Sequence, residues 1–323
     1  MKLVFILPYF GKFPNYFNLY LKSIAFNKEY TWLIITDCED SYNFPENVIL
    51  IYKTFDELKM LFQSRFDFDL SLDSPYKLCD FKPAYGYLLE EYIKDYDYWA
   101  HCDSDVIFGN LSNYLDFDKF KNYDKIFTLG HLSIYKNEKE NNSRFLEKID
   151  GQFQYQKVFS NPIAFAFDEQ YSKSINTIFL QNDYSLYSDN FSADIDPYNI
   201  NFRLNIQNSE ARNYNLENVK KQLFVWKNGG VFRYYIANNE LVTEEFMYIH
   251  LQKRSMEVAV ETEETSILIV PNQFKSIQEE ITIKNFNIYF KWNYFNKQYF
   301  AVKYKSFKYK FKHRKHFYRF LKF

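Results

Sequence analysis

Short unbroken apolar runs alternate with stretches of helical spacing along the first part of this chain. Leu3 to Leu7 is an apolar run of strand length. Tyr16 to Ile24 carries apolar side chains at helical spacing, with Asn15 ahead of it as a candidate cap. Trp32 to Thr36 and Val48 to Tyr52 are two further strand-length runs, and Phe55 to Phe66 returns to the helical period. Thr54 precedes that helix with Glu57 three residues on, which is a capping box. This alternation predicts an α/β chain with a parallel sheet and flanking helices. Ligands bind such sheets beyond the carboxyl ends of the strands, and Pro8-Tyr9 and Asp37 lie at such ends.

The same reading continues downstream. Tyr87 to Ile93 reads as helical, and Tyr98-Trp99-Ala100 as a strand that runs into His101-Cys102-Asp103-Ser104-Asp105 before a second run, Val106-Ile107-Phe108. Residues i and i+2 of an extended segment point to one side, so Asp103 and Asp105 sit side by side. Two adjacent carboxylates repel, and a half-buried pair favours a hard divalent cation such as Mg²⁺ or Mn²⁺, which takes oxygen ligands and shares them with phosphates. The alternative for this motif is a polar turn between strands. Lys125 to Leu129 and Ile163 to Phe167 are further candidate strands. Leu223 to Trp226, Gly229-Gly230 and Val231 to Tyr235 form a hairpin pattern. Phe246 to Ile249 leads into His250, and Ser266 to Val270 is the last strand. Residues 183–215, rich in Asn, Asp, Ser and Tyr, read as loops.

Composition excludes several classes. At 323 residues, 47% hydrophobic and 25% charged, the chain is globular and long enough for one large core with a small appendage. Its seven glycines form neither a G-x-G-x-x-G nor a Walker A loop, which argues against Rossmann dinucleotide binding and P-loop chemistry. Cys38, Cys79 and Cys102 are odd in number and contain no C-x-x-C, as expected of reduced thiols in a cytoplasmic protein. The apolar start is cut by Pro8 and reads as a first strand rather than a signal peptide. The net charge of −1 conceals an asymmetry. Twelve of the 40 Lys and Arg lie in residues 281–323, which hold no Asp or Glu, so the remaining 28 face all 41 acidic residues.

Six motifs together resemble a known family. They are Leu7-Pro8-Tyr9-Phe10-Gly11, Tyr76-Lys77-Leu78-Cys79-Asp80-Phe81-Lys82-Pro83, His101 to Asp105, Gly130-His131, Phe165-Ala166-Phe167-Asp168-Glu169 and Tyr248 to Arg254. Their order resembles the nucleotide-sugar half of GT-A glycosyltransferases. It is closest to a little-characterised bacterial group of glycosyltransferase-like proteins of capsule and surface-polysaccharide gene clusters. The resemblance spans about residues 1–256. It implies a GT-A-type Rossmann-like mixed sheet flanked by helices, with residues 1–275 as the transferase domain, 1–110 the donor half and 111–275 the acceptor half. It implies a metal, Mn²⁺ or Mg²⁺, on Asp103, Asp105 and His250, with Asp105 the strongest ligand. It also implies donor contacts from Pro8, Tyr9, Phe10, Asp37, Lys77, Asp80, Lys82, Asp103 and His131, with Lys253 and Arg254 on the diphosphate. Asp80 has a competing role as a helix cap. Asp168 and Glu169 are the candidate bases for an acceptor hydroxyl, with Asp194 and Asp196 in reserve, and a retaining enzyme would need none.

The expected activity is transfer of a sugar from a nucleoside-diphosphate donor, uridine the expected base, to a lipid-linked or growing surface glycan. One rival is a sugar nucleotidyltransferase, which would carry a Gly-rich N-terminal loop that Leu7 to Gly11 lacks. Another is a non-catalytic scaffold that uses the basic tail on nucleic acid or membrane. The acidic body argues against a nucleic-acid partner. In the tail, Phe300, Tyr304, Phe307, Phe311, Tyr318 and Leu321 recur at roughly helical spacing among cations, although Lys303 to Lys312 also partly alternates as a strand would. An amphipathic helix of this composition fits the anionic inner face of a cell membrane, and a hairpin packed on the body is the alternative.

Overall fold

A computed structural model describes residues 1–169, 172–208, 213–252, 254–291 and 297–320. Its centre is a seven-stranded mixed sheet. Strands β1 (Leu3–Tyr9), β2 (Thr31–Thr36), β3 (Val48–Tyr52) and β4 (Tyr98–Cys102) run parallel in the order β4-β1-β2-β3. After the short strand β5 (Val106–Phe108) come β6 (Lys125–Leu129) and β7 (Leu132–Lys136), and β7 lies antiparallel between β4 and β6. Leu186–Tyr187 closes that edge beside β6. Side-chain alternation divides the strands between two buried faces. Phe5, Leu7, Trp32, Ile34 and Ala100 enter one core, and Val4, Ile6, Leu33, Ile35 and Trp99 the other. The helix α1 (Phe17–Ala25) covers the first face, and α2 (Phe55–Gln63) the second through Leu58 and Phe62. The periodicity predicts the parallel part, β1 to β4 with flanking helices, and the antiparallel β7 makes the sheet the mixed one that the resemblance implies.

Two smaller sheets complete the body. Tyr248–His250 sits between Ser192–Asp194, parallel to it, and β5, antiparallel to it. That arrangement sets His250 beside Val106, one residue from Asp105. A six-stranded, mainly antiparallel sheet contains the predicted hairpin Gln222–Lys227 and Gly230–Ala237 and the strand Ser266–Val270. One of its faces packs with Phe202 and Met256, and the other with Ile281, Phe286 and Phe290.

Several local expectations need correction. Asn15 does not cap α1; its amide donates to the carbonyl of Met256 at 2.8 Å. The Thr54–Glu57 capping box is present in both directions. The helix expected over Tyr87–Ile93 breaks at Leu89 into two single turns. Upstream of it, Pro75–Ala84 is a 3₁₀ segment that includes Pro83, which lacks a backbone donor. Asp80, inside that segment, caps no helix. Residues 163–167 form no strand. The amides of Phe165 and Phe167 donate to the Asp80 carboxylate instead, at 2.9 and 3.0 Å.

Candidate active site

A cleft of about 880 Å³ opens at the carboxyl ends of β1 and β4. Pro8, Tyr9, Phe10 and Tyr16 line one wall, and Lys82, Asp103, Asp105, Asp168 and Glu169 another. The loop after β1 is held open by packing. Tyr9 stacks on Phe13 at 4.6 Å, Phe10 is edge-on to Phe55, and the Tyr9 hydroxyl donates to the Lys12 carbonyl. Asp37 accepts from the Gly11 amide at 2.7 Å, and Gly11 sits at φ +86°, where a Cβ is strained. Asp37 therefore pins this loop from behind and is not part of the cleft wall.

The carboxylates after β4 converge with His250. His250 Nε2 lies 3.4 Å from Asp105 Oδ1 and 3.9 Å from Asp103 Oδ2. One ligand atom from each of the three residues falls within 4.8 Å of the others, as a divalent ion requires. The opposite ring nitrogen, Nδ1, faces Asp194 Oδ1 at 2.7 Å. Burial opposes charge on the His250 ring, yet Asp105 and Asp194 raise its pKa well above the ordinary value. Burial would likewise raise the Asp194 carboxyl, but His250 holds it below the ordinary range. One imidazole nitrogen and two carboxylate oxygens at these separations are a donor set that fits Mn²⁺ or Mg²⁺. His131 stacks on His250 at 4.3 Å, and its Nδ1 meets the Tyr248 hydroxyl at 2.8 Å. It lies beneath His250 and does not line the cleft, and burial pushes its pKa down to about 3.

Lys82 joins the two sides of the cleft. Its ammonium contacts Asp103 Oδ1 at 2.6 Å, the Gly130 carbonyl at 2.8 Å and Asp168 Oδ2 at 3.0 Å. Three donors meet three acceptors, so the ammonium is saturated, with Asp168 Oδ2 as one of its three partners. Burial raises the Asp168 carboxyl and Lys82 only partly offsets this. Glu169 is pushed up to about 7, by burial first and then by the Asp168 charge. Both acids press on Gly130, where a Cβ would lie 2.7 Å from Asp168 Oδ2 and 2.8 Å from Glu169 Oε1.

Lys77 and Asp80, expected at the donor, are buried together behind the cleft. The Lys77 ammonium is 2.7 Å from Asp80 Oδ2 and donates to the carbonyls of Val158 at 2.9 Å and Ile163 at 2.7 Å. With the Phe165 and Phe167 amides on Asp80, neither side chain has an atom left for a ligand. Together they fasten segment 163–167, which leads into Asp168 and Glu169, onto the 3₁₀ segment that carries Lys82. Arg254 also differs from expectation. It lines the cleft, but its two terminal nitrogens donate to the carbonyls of Asp196, Asn199 and Ile200 and to Asn272 Oδ1. It clamps the loop after Asp194 and offers a diphosphate no terminal donor. Asp196 caps the same loop through the amides of Tyr198 and Asn199. Lys253 lies outside the described residues.

Solved structures with a similar arrangement of elements include three glycosyltransferases. The galactosyltransferase LgtC, in complex with donor and acceptor sugar analogues, is 14% identical, overlaps 60% of this chain and 76% of its own, and has a TM-score of 0.33. Mouse xyloside xylosyltransferase 1, in its apo form, is 10% identical over 60% of this chain and 87% of its own, with a TM-score of 0.38. A glycosyltransferase involved in glycosylation of the major capsid of PBCV-1 is 7% identical over 60% and 86%, with a TM-score of 0.33. No curated protein sequence matches the chain. Residues 5–278 match the family of unknown function DUF6625, and the chain belongs to that family.

Proposed function

We propose that the protein is a metal-dependent glycosyltransferase of the GT-A type. It would move a sugar from a nucleoside-diphosphate donor, uridine the expected base, to a hydroxyl of a lipid-linked or growing surface glycan. The observation that carries this is the convergence of Asp103, Asp105 and His250 at the mouth of β4, across one cleft from Asp168 and Glu169. Mn²⁺ or Mg²⁺, when bound, supplies Lewis-acid neutralisation of the diphosphate. Asp105, His250 Nε2 and Asp103 Oδ2 would hold it, since Asp103 Oδ1 belongs to Lys82. Tyr9, Phe10, Tyr16 and Met256 give part of the cleft an aromatic and apolar lining.

Glu169 is the base in this reading and Asp168, which meets Lys82 through Oδ2, the alternative. A carboxyl raised to about 7 is matched to proton abstraction near neutrality. In the inverting course the acceptor oxygen bonds to the anomeric carbon. Its proton passes to Glu169, and the carbon–oxygen bond to the diphosphate breaks with its electron pair on the phosphate oxygen. Calorimetry with UDP and Mn²⁺ tests the metal site. Asp105→Ala should abolish metal-dependent binding and His250→Ala should weaken it tenfold or more, on the order of lost ligands. Unchanged affinity in a folded Asp105→Ala chain removes the metal from the reading.

The tail supports a membrane partner. Lys297–Phe320 is one helix, and Phe300, Tyr304, Phe307 and Phe311 are 69, 67, 67 and 56% exposed along it. Their spacing puts four rings on one face beside exposed Lys303, Lys305 and Lys308. Rings and cations together suit an anionic bilayer surface, at the cytoplasmic, inner face of the membrane in this reading. Leu321 lies outside the described residues, and among those described no helix is long and apolar enough to cross a membrane. Phe286 and Phe290, earlier in the same basic stretch, are buried against the six-stranded sheet instead.

A further inference from the structure

We infer that Asp194 is a positioning residue that fixes His250 as an Nε2 metal ligand, and is neither a ligand nor a base. This rests on the metal reading above and adds to it a residue outside the ligand set.

The geometry leaves Asp194 no other use. It is 3% exposed and does not line the cleft, so an acceptor hydroxyl cannot reach it. Both oxygens are engaged. Oδ1 takes the His250 Nδ1 contact at 2.7 Å and a hydrogen bond from Gln252 Nε2 at 2.8 Å, and Oδ2 takes one from Asn205 Nδ2 at 3.0 Å. An ionised carboxylate only accepts, so His250 Nδ1 must carry the proton. The remaining nitrogen, Nε2, faces Asp105 and Asp103 and is the one left to ligate a metal, which would displace any proton on it. The backbone enforces the same pairing, because Asp194 and His250 are register partners in parallel strands. A carboxylate behind a ligating imidazole raises its basicity and fixes its tautomer.

A second set of ligand atoms, on His131, Asp194 and His250, also lies within 4.8 Å and is the competing position for a cation. It would need the Asp194–His250 hydrogen bond to open, and His131 to point an Nε2 that has no hydrogen-bond partner among the described residues at the ion.

The test measures Mn²⁺ affinity of the full chain by calorimetry at a fixed UDP concentration, with the melting temperature of each variant as a folding control. Asp194→Asn keeps an acceptor for Nδ1–H but loses the charge, and Asp194→Ala loses both. The positioning role predicts weaker Mn²⁺ binding by about tenfold for Asn and up to about 100-fold for Ala, with His131→Phe near the parental value. Parental Mn²⁺ affinity in folded Asp194→Asn and Asp194→Ala overturns it, and the metal reading then still stands on Asp105→Ala. Loss of Mn²⁺ binding in His131→Phe with retention in Asp105→Ala overturns it in favour of the second position. A parental chain that binds no Mn²⁺ overturns both.

Discussion

Replacing Asp80 with Ala should cost this fold a large share of its stability, and the amount can be worked from its partners. Asp80 is fully buried, and its carboxylate neutralises Lys77, itself 2% exposed. Removing one member of a buried pair costs about 3–5 kcal/mol, because the other charge stays behind without compensation. The Phe165 and Phe167 amides also lose their acceptor, at roughly 1–3 kcal/mol for each buried donor left unmade. These costs overlap, and about 5 kcal/mol is a reasonable total against a domain stability of roughly 5–15 kcal/mol. Lys77→Met should cost less, since Asp80 would keep both amides. The double variant removes the stranded ammonium, so it should be more stable than the two single costs predict by about 2 kcal/mol. Urea unfolding followed by circular dichroism, with the slope held constant across the four proteins, measures this. Additive costs, or an Asp80→Ala penalty below about 1 kcal/mol, would refute the buried pair as the fastening of segment 163–167. Faster amide exchange at Phe165 and Phe167 should accompany the loss.

Three further predictions concern the chemistry and its setting. Glu169→Gln should leave UDP–Mn²⁺ affinity nearly intact and lower turnover by about 100-fold or more, because a base acts in the transition state; parental turnover would mean that the base lies elsewhere or that none is used. Burial pushes the Lys125 ammonium down to about 7. The unfolded chain binds more protons above that pH, so stability rises from near pH 7 toward the free-lysine value, and Lys125→Met should flatten that slope and stabilise the protein near neutrality in urea titrations at about pH 7 and pH 9. Replacing Phe300, Tyr304, Phe307 and Phe311 with Ser should abolish co-sedimentation with phosphatidylglycerol vesicles, which the parental chain should show at low salt and lose at high salt; equal behaviour of the two proteins would sink the membrane partner.

What the sequence makes legible here is what depends on local period. β1, β2 and β3, the Thr54 cap and the hairpin of Gln222–Lys227 and Gly230–Ala237 follow from apolar spacing and turn chemistry within ten residues or so. The side-by-side carboxylates of Asp103 and Asp105 are equally local, and His250 at a strand end is visible as a candidate. What is not legible is how side chains are shared across long separations. Lys77 and Asp80 read as donor contacts beside Lys82, yet their partners include Val158, Ile163, Phe165 and Phe167, more than 75 residues away. The same contacts explain the false strand at 163–167, an apolar run in which the Phe165 and Phe167 amides are satisfied by a carboxylate rather than a neighbouring strand. Arg254 likewise reads as a phosphate ligand until the carbonyls of Asp196, Asn199 and Ile200 are seen around it. Asp194 carries a weak signal in hindsight: an acid flanked by Ala193 and Ile195, both of them buried. A charged residue within such a run needs a partner, but the run itself does not name His250.

The single ammonium of Lys82 has a consequence for how this cleft can change. It holds one carboxylate from the end of β4 and another from the segment beyond residue 163, so the two walls share one charge. A substitution that alters the demand of Asp103 on that ammonium changes what remains for Asp168, and the reverse holds to the same extent. The two walls are therefore one unit under mutation. Changes selected at one wall will carry over into the other, and pairs of changes at positions 103 and 168 will be tolerated in combinations that neither change permits alone.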